Sequence, residues 1–142
     1  LKGHWRDRRA SACCIKEREM DHPQLDAISR ETTSVIERFN DALNAHDIDA
    51  VMALMTGDCV FENTSPFPDG ERFEGQAAVR GFWEAFLAGS PHAHFDSEEL
   101  IAMGDRCVVL WRYTWGDGHI RGIDFFKVRD GKVAEKLAYV KG

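Results

Sequence analysis

The chain has 142 residues, of which 44% are hydrophobic and 11% aromatic, and its formal net charge is −6. This length fits one domain whose core is large enough to fold without disulfides or metal, and no stretch approaches the ~20 apolar residues of a membrane-spanning helix. Residues 1–19 are basic, so the remaining residues hold 12 of the 18 basic and 21 of the 24 acidic side chains. Such an acidic body disfavours nucleic acid as a partner.

Residues 1–19 show neither helical nor strand periodicity, and they lack the apolar stretch of a signal peptide. Two interpretations remain open. Either Met20 is the natural start and the preceding residues are not native to the protein, or they form a disordered native arm. In both cases we expect residues 20–142 to form the folded domain.

The remaining sequence predicts three helices followed largely by strands. Apolar residues recur at helical spacing in the first half, and Asp47 is placed to cap the second helix. Glycine-containing turns separate the strands of the second half, which indicates antiparallel hairpins. This division favours an α+β fold over a doubly wound parallel sheet. The predicted helices are 25–45, 48–55 and 76–88, the loop is 64–75, and the strands are 59–63, 92–103, 106–115, 119–129 and 132–141.

The four cysteines predict a reduced, cytoplasmic protein. Cys13 and Cys14 are adjacent, which makes a poor structural disulfide, whereas Cys59 and Cys107 lie in apolar strand patterns. No spacing typical of zinc ligands occurs. We therefore expect buried core thiols and neither a metal nor a cofactor.

The strand at 106–115 is rich in aromatic residues on one face. Alternation places Trp111, Tyr113 and Trp115 on the same side as Cys107 and Val109. Three consecutive aromatic residues on one face are typical of an apolar cavity wall, but they also suit ordinary core packing. Both interpretations remain open.

Asp124 is the strongest candidate for a chemical role. It shares a strand face with Phe126 and Val128. A carboxylate in such an interior must be paired, reach solvent or stay protonated, because burying its charge is unfavourable. A carboxyl in a pocket can donate to a carbonyl oxygen or act as a general acid. The alternative is a structural aspartate bonded to a neighbouring arginine or hydroxyl.

Other polar positions are weaker candidates. Asn63 ends the first strand, where it could bind a ligand or form a turn. Lys136 interrupts the apolar last strand; we expect it to point outward, although it could instead enter a cavity and pair with Asp124. Three histidines lie beside predicted turns, where solvent exposure is expected: His92, His94 and His119.

Three segments carry a resemblance to a known family: VIERFNDALNAHDIDAVMALMTGDCVFEN, GQAAVRGFWEAF and GIDFFKVRDGKVAEKLAYV. They resemble the nuclear-transport-factor-2-like superfamily, most closely its SnoaL-like and ketosteroid-isomerase-like branch. The resemblance covers residue 25 to the end of the chain. It implies a cone-shaped, curved, mixed but mainly antiparallel β-sheet, closed by three helices around a pocket, and a homodimer through the sheet.

The resemblance carries over only in part to the residues of ketosteroid isomerases. Asp124 falls at the position of the acid that donates to the oxyanion. The tyrosine position holds Phe39, which has no hydroxyl, and the base position holds Asn63, which cannot take up a proton. Steroid isomerisation by that mechanism is therefore not expected. The polyketide-cyclase branch needs one acidic residue in an apolar cavity, which Asp124 could supply.

The sequence thus predicts a cofactor-independent protein that binds a small hydrophobic ligand, a carbonyl or polycyclic compound, in the cone. Asp124 would be its general acid or base. The expected ligand-contacting residues are Phe39, Asn63, Trp83, Trp111, Tyr113 and Phe126. The alternative is a non-catalytic binding or dimerisation module on the same scaffold. Neither nucleic acid nor membrane is expected as a partner.

Overall fold

A computed structural model describes the backbone from His22 to the end of the chain and side chains from Gln24. Both interpretations of residues 1–19 lie outside the described residues. Within them the predicted α+β class is confirmed, with three helices and six strands. The helices are α1 (His22–Asn44), α2 (Ile48–Ala53) and α3 (Gln76–Gly89). The strands are β1 (Met55–Glu62), β2 (Arg72–Glu74), β3 (Phe95–Met103), β4 (Arg106–Trp115), β5 (Gly118–Arg129) and β6 (Lys132–Val140).

Helix α1 packs one face on the sheet. Val35, Ile36, Phe39 and Leu43 are buried at helical spacing. Thr32, which interrupts this apolar stripe in the sequence, is also buried, and its hydroxyl donates to the carbonyl of Gly104 at 2.7 Å. The hydrogen bond therefore fixes α1 to the turn between β3 and β4.

Helix α2 is shorter than predicted. Asp47 caps it as expected, because its carboxylate accepts from the amide of Ala50 at 3.0 Å. The helix ends at Ala53, and Met55, which the helical pattern includes, instead begins β1. Met55 is still buried, because the strand turns the same side chain toward the core.

The six strands form one curved, open sheet in the order β2-β1-β6-β5-β4-β3. Strands β1 and β6 are parallel, and the other neighbours are antiparallel. The predicted loop at 64–75 was wrong in one part, because its residues Arg72–Glu74 pair with β1 as the edge strand β2. This mixed but mainly antiparallel sheet is the predicted cone.

Tight turns connect the last four strands. The β5–β6 turn holds Asp130 and Gly131 with φ of 53° and 71°, and positive φ at both central residues suits the right-handed twist of a hairpin. Gly104 supplies φ of 59° in the β3–β4 turn. The turn glycines therefore act as the sequence predicts.

The concave face of the sheet and the three helices enclose the core. Cys59 and Cys107 are buried there as free thiols, which confirms that part of the prediction. None of the helices in the described part of the chain is both long and apolar enough to span a membrane.

Candidate functional site

An apolar cavity of about 150 Å³ lies between the concave face of the sheet and helices α1 and α3. Seven aromatic residues from four elements form a large part of its wall. Their rings contact one another closely, with centroids 4.8 Å apart for Phe61 and Phe82 and 4.9 Å for Phe95 and Tyr113. The aromatic residues lining the cavity are Phe61, Phe82, Trp83, Phe86, Phe95, Trp111 and Tyr113.

An ion pair interrupts this apolar wall. The Nζ of Lys136 lies 2.7 Å from Oδ2 of Asp124, and the two side chains are 5% and 12% exposed. Both residues line the cavity. Among the described residues, they are the two charged ones in its wall. The second carboxylate oxygen of Asp124, Oδ1, is buried without a hydrogen-bond partner in the described structure.

Strand register produces this pair. Asp124 of β5 is paired with Ala138 of β6, and Lys136 lies two residues before Ala138 on the same face. Such diagonal neighbours across antiparallel strands are within reach of a long side chain. The pair therefore follows from the pairing of β5 with β6.

The ammonium of Lys136 is also surrounded by aromatic rings. Its Nζ lies 5.0 Å from the ring centroid of Phe61, 5.6 Å from that of Phe126 and 5.7 Å from that of Trp83. Phe61 and Phe126 are its cross-strand partners on β1 and β5, so the sheet itself builds two walls of this cage. A cation over aromatic faces is stabilised by several contacts of this kind.

The outward orientation expected for Lys136 was therefore wrong, and the pairing with Asp124 is what the structure shows. Desolvation disfavours an inward lysine, but here a carboxylate and three rings offset that cost. Those partners come from three different elements, so the sequence of β6 alone does not reveal them.

The structure brings four of the predicted ligand-contacting residues to the cavity and places two elsewhere. Trp83, Trp111, Tyr113 and Asn63 line the cavity together with Asp124. Phe39 and Phe126 are completely buried and pack edge to face, with ring centroids 5.8 Å apart, without lining the cavity.

Asn63 has a structural role in addition to its position at the cavity. Its carboxamide Oδ1 accepts hydrogen bonds from the backbone amides of Ser65 and Glu71, at 3.2 and 2.8 Å. The side-chain oxygen therefore holds the loop between β1 and β2, which is the turn-forming alternative that the sequence left open.

Two asparagines on α1 were missed by the sequence analysis. Asn40 and Asn44 line the cavity one helical turn apart. The side chain of Asn44 bonds the backbone of Phe95 through both its amide and its oxygen, at 3.0 and 2.9 Å, and Nδ2 of Asn40 donates to Oγ of Ser97 at 3.3 Å. Their four-residue spacing beside buried apolar positions is the signal that could have identified them.

Buried donors near the pair are also unused. The indole Nε1 atoms of Trp83 and Trp111 are buried and have no hydrogen-bond partner in the described structure. Buried polar atoms are normally satisfied by protein or by ordered water. Trp83, Trp111 and Asp124 all line the cavity, so three of its residues each carry one buried polar atom without a partner in the described structure.

Other predicted features fall outside the cavity. His92, His94 and His119 are exposed, as expected. The part of the chain that the structure describes contains no group of three or more His, Cys, Asp or Glu residues arranged to hold a metal ion. The charged residues that line the cavity in the described structure are Asp124 and Lys136.

Comparison with known proteins identifies the family. The family model described as SnoaL-like domain matches residues 36–136. An NTF2-like protein of unknown function from Mesorhizobium loti is 42% identical with a TM-score of 0.72, and the match covers 80% of this chain and 93% of that chain. No protein with a curated description matches this chain.

More distant solved structures share the fold. A candidate ketosteroid isomerase from Kribbella flavida is 23% identical, with a TM-score of 0.70 and 80% of each chain covered. A candidate SnoaL-like polyketide cyclase from Jannaschia is 19% identical, with a TM-score of 0.69 and coverage of 80% of this chain and 88% of that chain. Because the family model spans most of the described domain, this chain belongs to the SnoaL-like domain family of the nuclear-transport-factor-2-like superfamily.

Proposed function

We propose that this protein binds a small hydrophobic carbonyl compound in the apolar cavity, and that Asp124 acts there as a general acid or base. The observation that carries the proposal is the buried Asp124–Lys136 pair in an otherwise aromatic cavity. Ligand sites characteristically combine apolar walls with a few convergent polar groups, which orient the ligand.

The cavity volume limits the size of the ligand. An apolar protein cavity of about this volume holds one benzene molecule, whereas sites for drug-sized ligands are roughly two or more times larger. The cavity volume of about 150 Å³ therefore favours a one-ring carbonyl compound over the polycyclic alternative. A four-ring steroid would require the aromatic walls to move apart.

The polar groups match a carbonyl compound with an acidic C–H bond. The ammonium of Lys136 can donate to the carbonyl oxygen, and the carboxylate of Asp124 can accept a proton from the adjacent carbon. The electrons of that C–H bond then form an enolate, whose oxygen the ammonium stabilises. Return of the proton to the same or another carbon completes an exchange or an isomerisation.

The isomerase and cyclase relatives support proton transfer beside a carbonyl group as the kind of reaction. They do not supply the residues, because Phe39 and Asn63 occupy the tyrosine and base positions of ketosteroid isomerases. In this proposal one pair performs both tasks, with Lys136 binding the oxygen and Asp124 moving the proton.

The test uses acetophenone, a one-ring ketone, and ethylbenzene, a similar hydrocarbon that has no carbonyl group. We expect acetophenone to shift the indole N–H resonances of Trp83 and Trp111 in NMR spectra, and to bind at least ~10-fold more tightly than ethylbenzene because of its hydrogen bond to a charged donor. A steroid should not bind. Equal affinity for ketone and hydrocarbon would refute the anchoring role of the pair.

Catalysis is tested separately by deuterium exchange at the methyl group of acetophenone in heavy water. The wild type should accelerate the exchange, and Asp124→Asn should lower the rate ~100-fold or more, because Asn cannot accept the proton. Glu98→Gln, at an exposed ion pair with Arg121, is the matched control. Binding without accelerated exchange would favour the non-catalytic binding module.

We also propose that the protein forms a homodimer through the convex face of the sheet. Three large apolar side chains are exposed on this face: Ile101 (53%), Ile123 (40%) and Tyr139 (55%). Ile123 and Tyr139 lie on central strands of the sheet, and Ile101 lies on the edge strand β3. An exposed apolar patch of this kind is typical of a protein–protein interface. Sedimentation should show a dimer for the wild type and a monomer for Ile123→Arg, whereas Ala88→Arg, at an exposed position of α3, should remain dimeric.

A further inference from the structure

We propose that Lys136 is a nucleophile that forms a reversible imine with a small hydrophobic aldehyde or ketone, and that Asp124 is its proton partner. The inference rests on the proposed function for the entry of a carbonyl compound into the cavity. It adds a covalent step and assigns it to a residue that the sequence led us to place in solvent.

The position of Lys136 distinguishes it from the other described lysines. It is 4% exposed and lines the cavity, whereas Lys132 and Lys141 are exposed and Lys127 is half-buried. A primary amine in an apolar pocket is the arrangement that activates lysine toward carbonyl groups. Any carbonyl compound in this cavity is therefore held close to an amine.

A buried ion pair can become neutral by moving one proton. Nζ of Lys136 and Oδ2 of Asp124 are 2.7 Å apart, which is close enough for a proton to pass directly between them. Two charges in an apolar site carry a desolvation penalty, and a ligand that expels water from the cavity increases it. In the covalent step, one proton transfer within the pair gives the neutral amine and the carboxylic acid, which are the nucleophile and the acid that the reaction needs.

The subsequent steps balance within the pair and the ligand. The amine attacks the carbonyl carbon, a C–N bond forms, and a proton moves from nitrogen to the former carbonyl oxygen. The carboxylic acid of Asp124 then protonates the resulting hydroxyl, the C–O bond breaks, and water leaves. The products are an iminium on Lys136, a carboxylate on Asp124 and one water molecule.

The site suits the product as well as the starting state. The iminium carries the same positive charge as the original ammonium and lies beside the same carboxylate. The rings of Phe61, Trp83 and Phe126, which surround Nζ at 5.0–5.7 Å, stabilise a cation in either form. The cavity therefore already provides the charged partner that the adduct needs.

The experiment is reductive trapping with benzaldehyde, a one-ring aldehyde, followed by peptide mass spectrometry. Borohydride reduces an imine to a stable benzyl amine, and the exposed Lys132 and Lys141 provide the background level of modification. We expect Lys136 to be modified at least ~10-fold faster than these lysines. Asp124→Asn should slow trapping at Lys136 by roughly 100-fold, because the acid is lost.

Lys136→Arg is the matched variant, because it keeps a cation beside Asp124 but cannot form the imine. It should lose the trapped adduct at position 136, whereas Glu98→Gln, which lies outside the cavity, should keep both acetophenone binding and trapping at Lys136. If acetophenone binds the wild type but trapping at Lys136 does not exceed the background, the imine is refuted and the proposed function stands. If acetophenone does not bind either, both proposals are refuted.

Discussion

The buried pair can be tested through stability as well as chemistry, by a double-mutant cycle on Lys136→Met and Asp124→Val. Each single variant leaves one charge without its partner in a site where the side chains are only 5% and 12% exposed. Removal of one member of a buried pair typically lowers the free energy of unfolding by about 3–5 kcal/mol. We expect both single variants to fall in this range.

The two single variants should not be equal. After Asp124→Val the ammonium still faces three aromatic rings, and each such contact contributes ~0.5–2 kcal/mol. After Lys136→Met the carboxylate has lost its cation, and its Oδ1 already lacks a hydrogen-bond partner in the described structure. Lys136→Met should therefore be the more destabilising variant.

The double variant should recover most of the loss. Replacing a buried ion pair with apolar residues is often neutral or stabilising, so we expect it within about 1 kcal/mol of the wild type or above it. The coupling energy is then about 5 kcal/mol or more, which lies in the upper part of the range measured for close charge pairs elsewhere. The exposed pair Glu98–Arg121, with an N–O distance of 2.8 Å, is the control and should couple by less than ~1 kcal/mol.

Urea unfolding measures these differences, provided that the slope of free energy against urea concentration stays constant across the variants. Single-variant effects that simply add in the double variant would refute the argument, because they would show that the two charges do not interact. A single-variant loss below 1 kcal/mol would likewise mean that water reaches and solvates the pair.

Three further predictions concern the fold. Gly122→Ala should destabilise by about 1–3 kcal/mol, because a Cβ would overlap the Trp111 ring and a carbonyl of β6, whereas Gly57→Ala, with open space around it, should stay within ~0.5 kcal/mol in urea unfolding. Burial raises the pKa of the Cys107 thiol from 9.0 to about 11. The neutral thiol therefore favours the folded state below pH 9, and this contribution is lost as the pH rises to 11. Cys107→Val should make stability less dependent on pH over that range, as followed by thermal unfolding. Thr32→Val should cost about 1–3 kcal/mol, measured by urea unfolding, because it leaves the carbonyl of the β3–β4 turn without its buried donor.

Periodicity in the sequence predicted the fold wherever a local pattern determines structure. The bounds of β4 match the prediction completely, because its alternating aromatic residues and flanking glycine turns are both local signals. Strand β2 has only three residues, and it exists because Arg72–Glu74 pair with β1. A tertiary interaction of this kind leaves no periodic signal in so short a segment.

The candidate site was predictable along each strand but not across strands. Alternation correctly placed Trp111 and Tyr113 on the inner face of β4, and it placed Asp124 on the same face as Phe126. It could not show that Lys136 faces Asp124, because this depends on the register between β5 and β6. The pairing of β5 with β6 also shifts by one residue between Lys127 and Val128. Counting residue pairs back from the β5–β6 turn would therefore place Lys136 on the wrong face of the sheet.

The buried pair also bears on the choice between a structural and a functional site. A buried ion pair is weak evidence for stability, since apolar residues of similar volume usually serve the fold as well or better. Here the same cavity also holds unpartnered atoms of Asp124, Trp83 and Trp111, and each unsatisfied polar atom lowers stability further. A fold that keeps all of these groups in an aromatic cavity sacrifices stability at one place, as functional sites commonly do. If the double variant Lys136→Met, Asp124→Val unfolds at a higher urea concentration than the wild type and no longer binds acetophenone, the pair lowers stability and is required for binding.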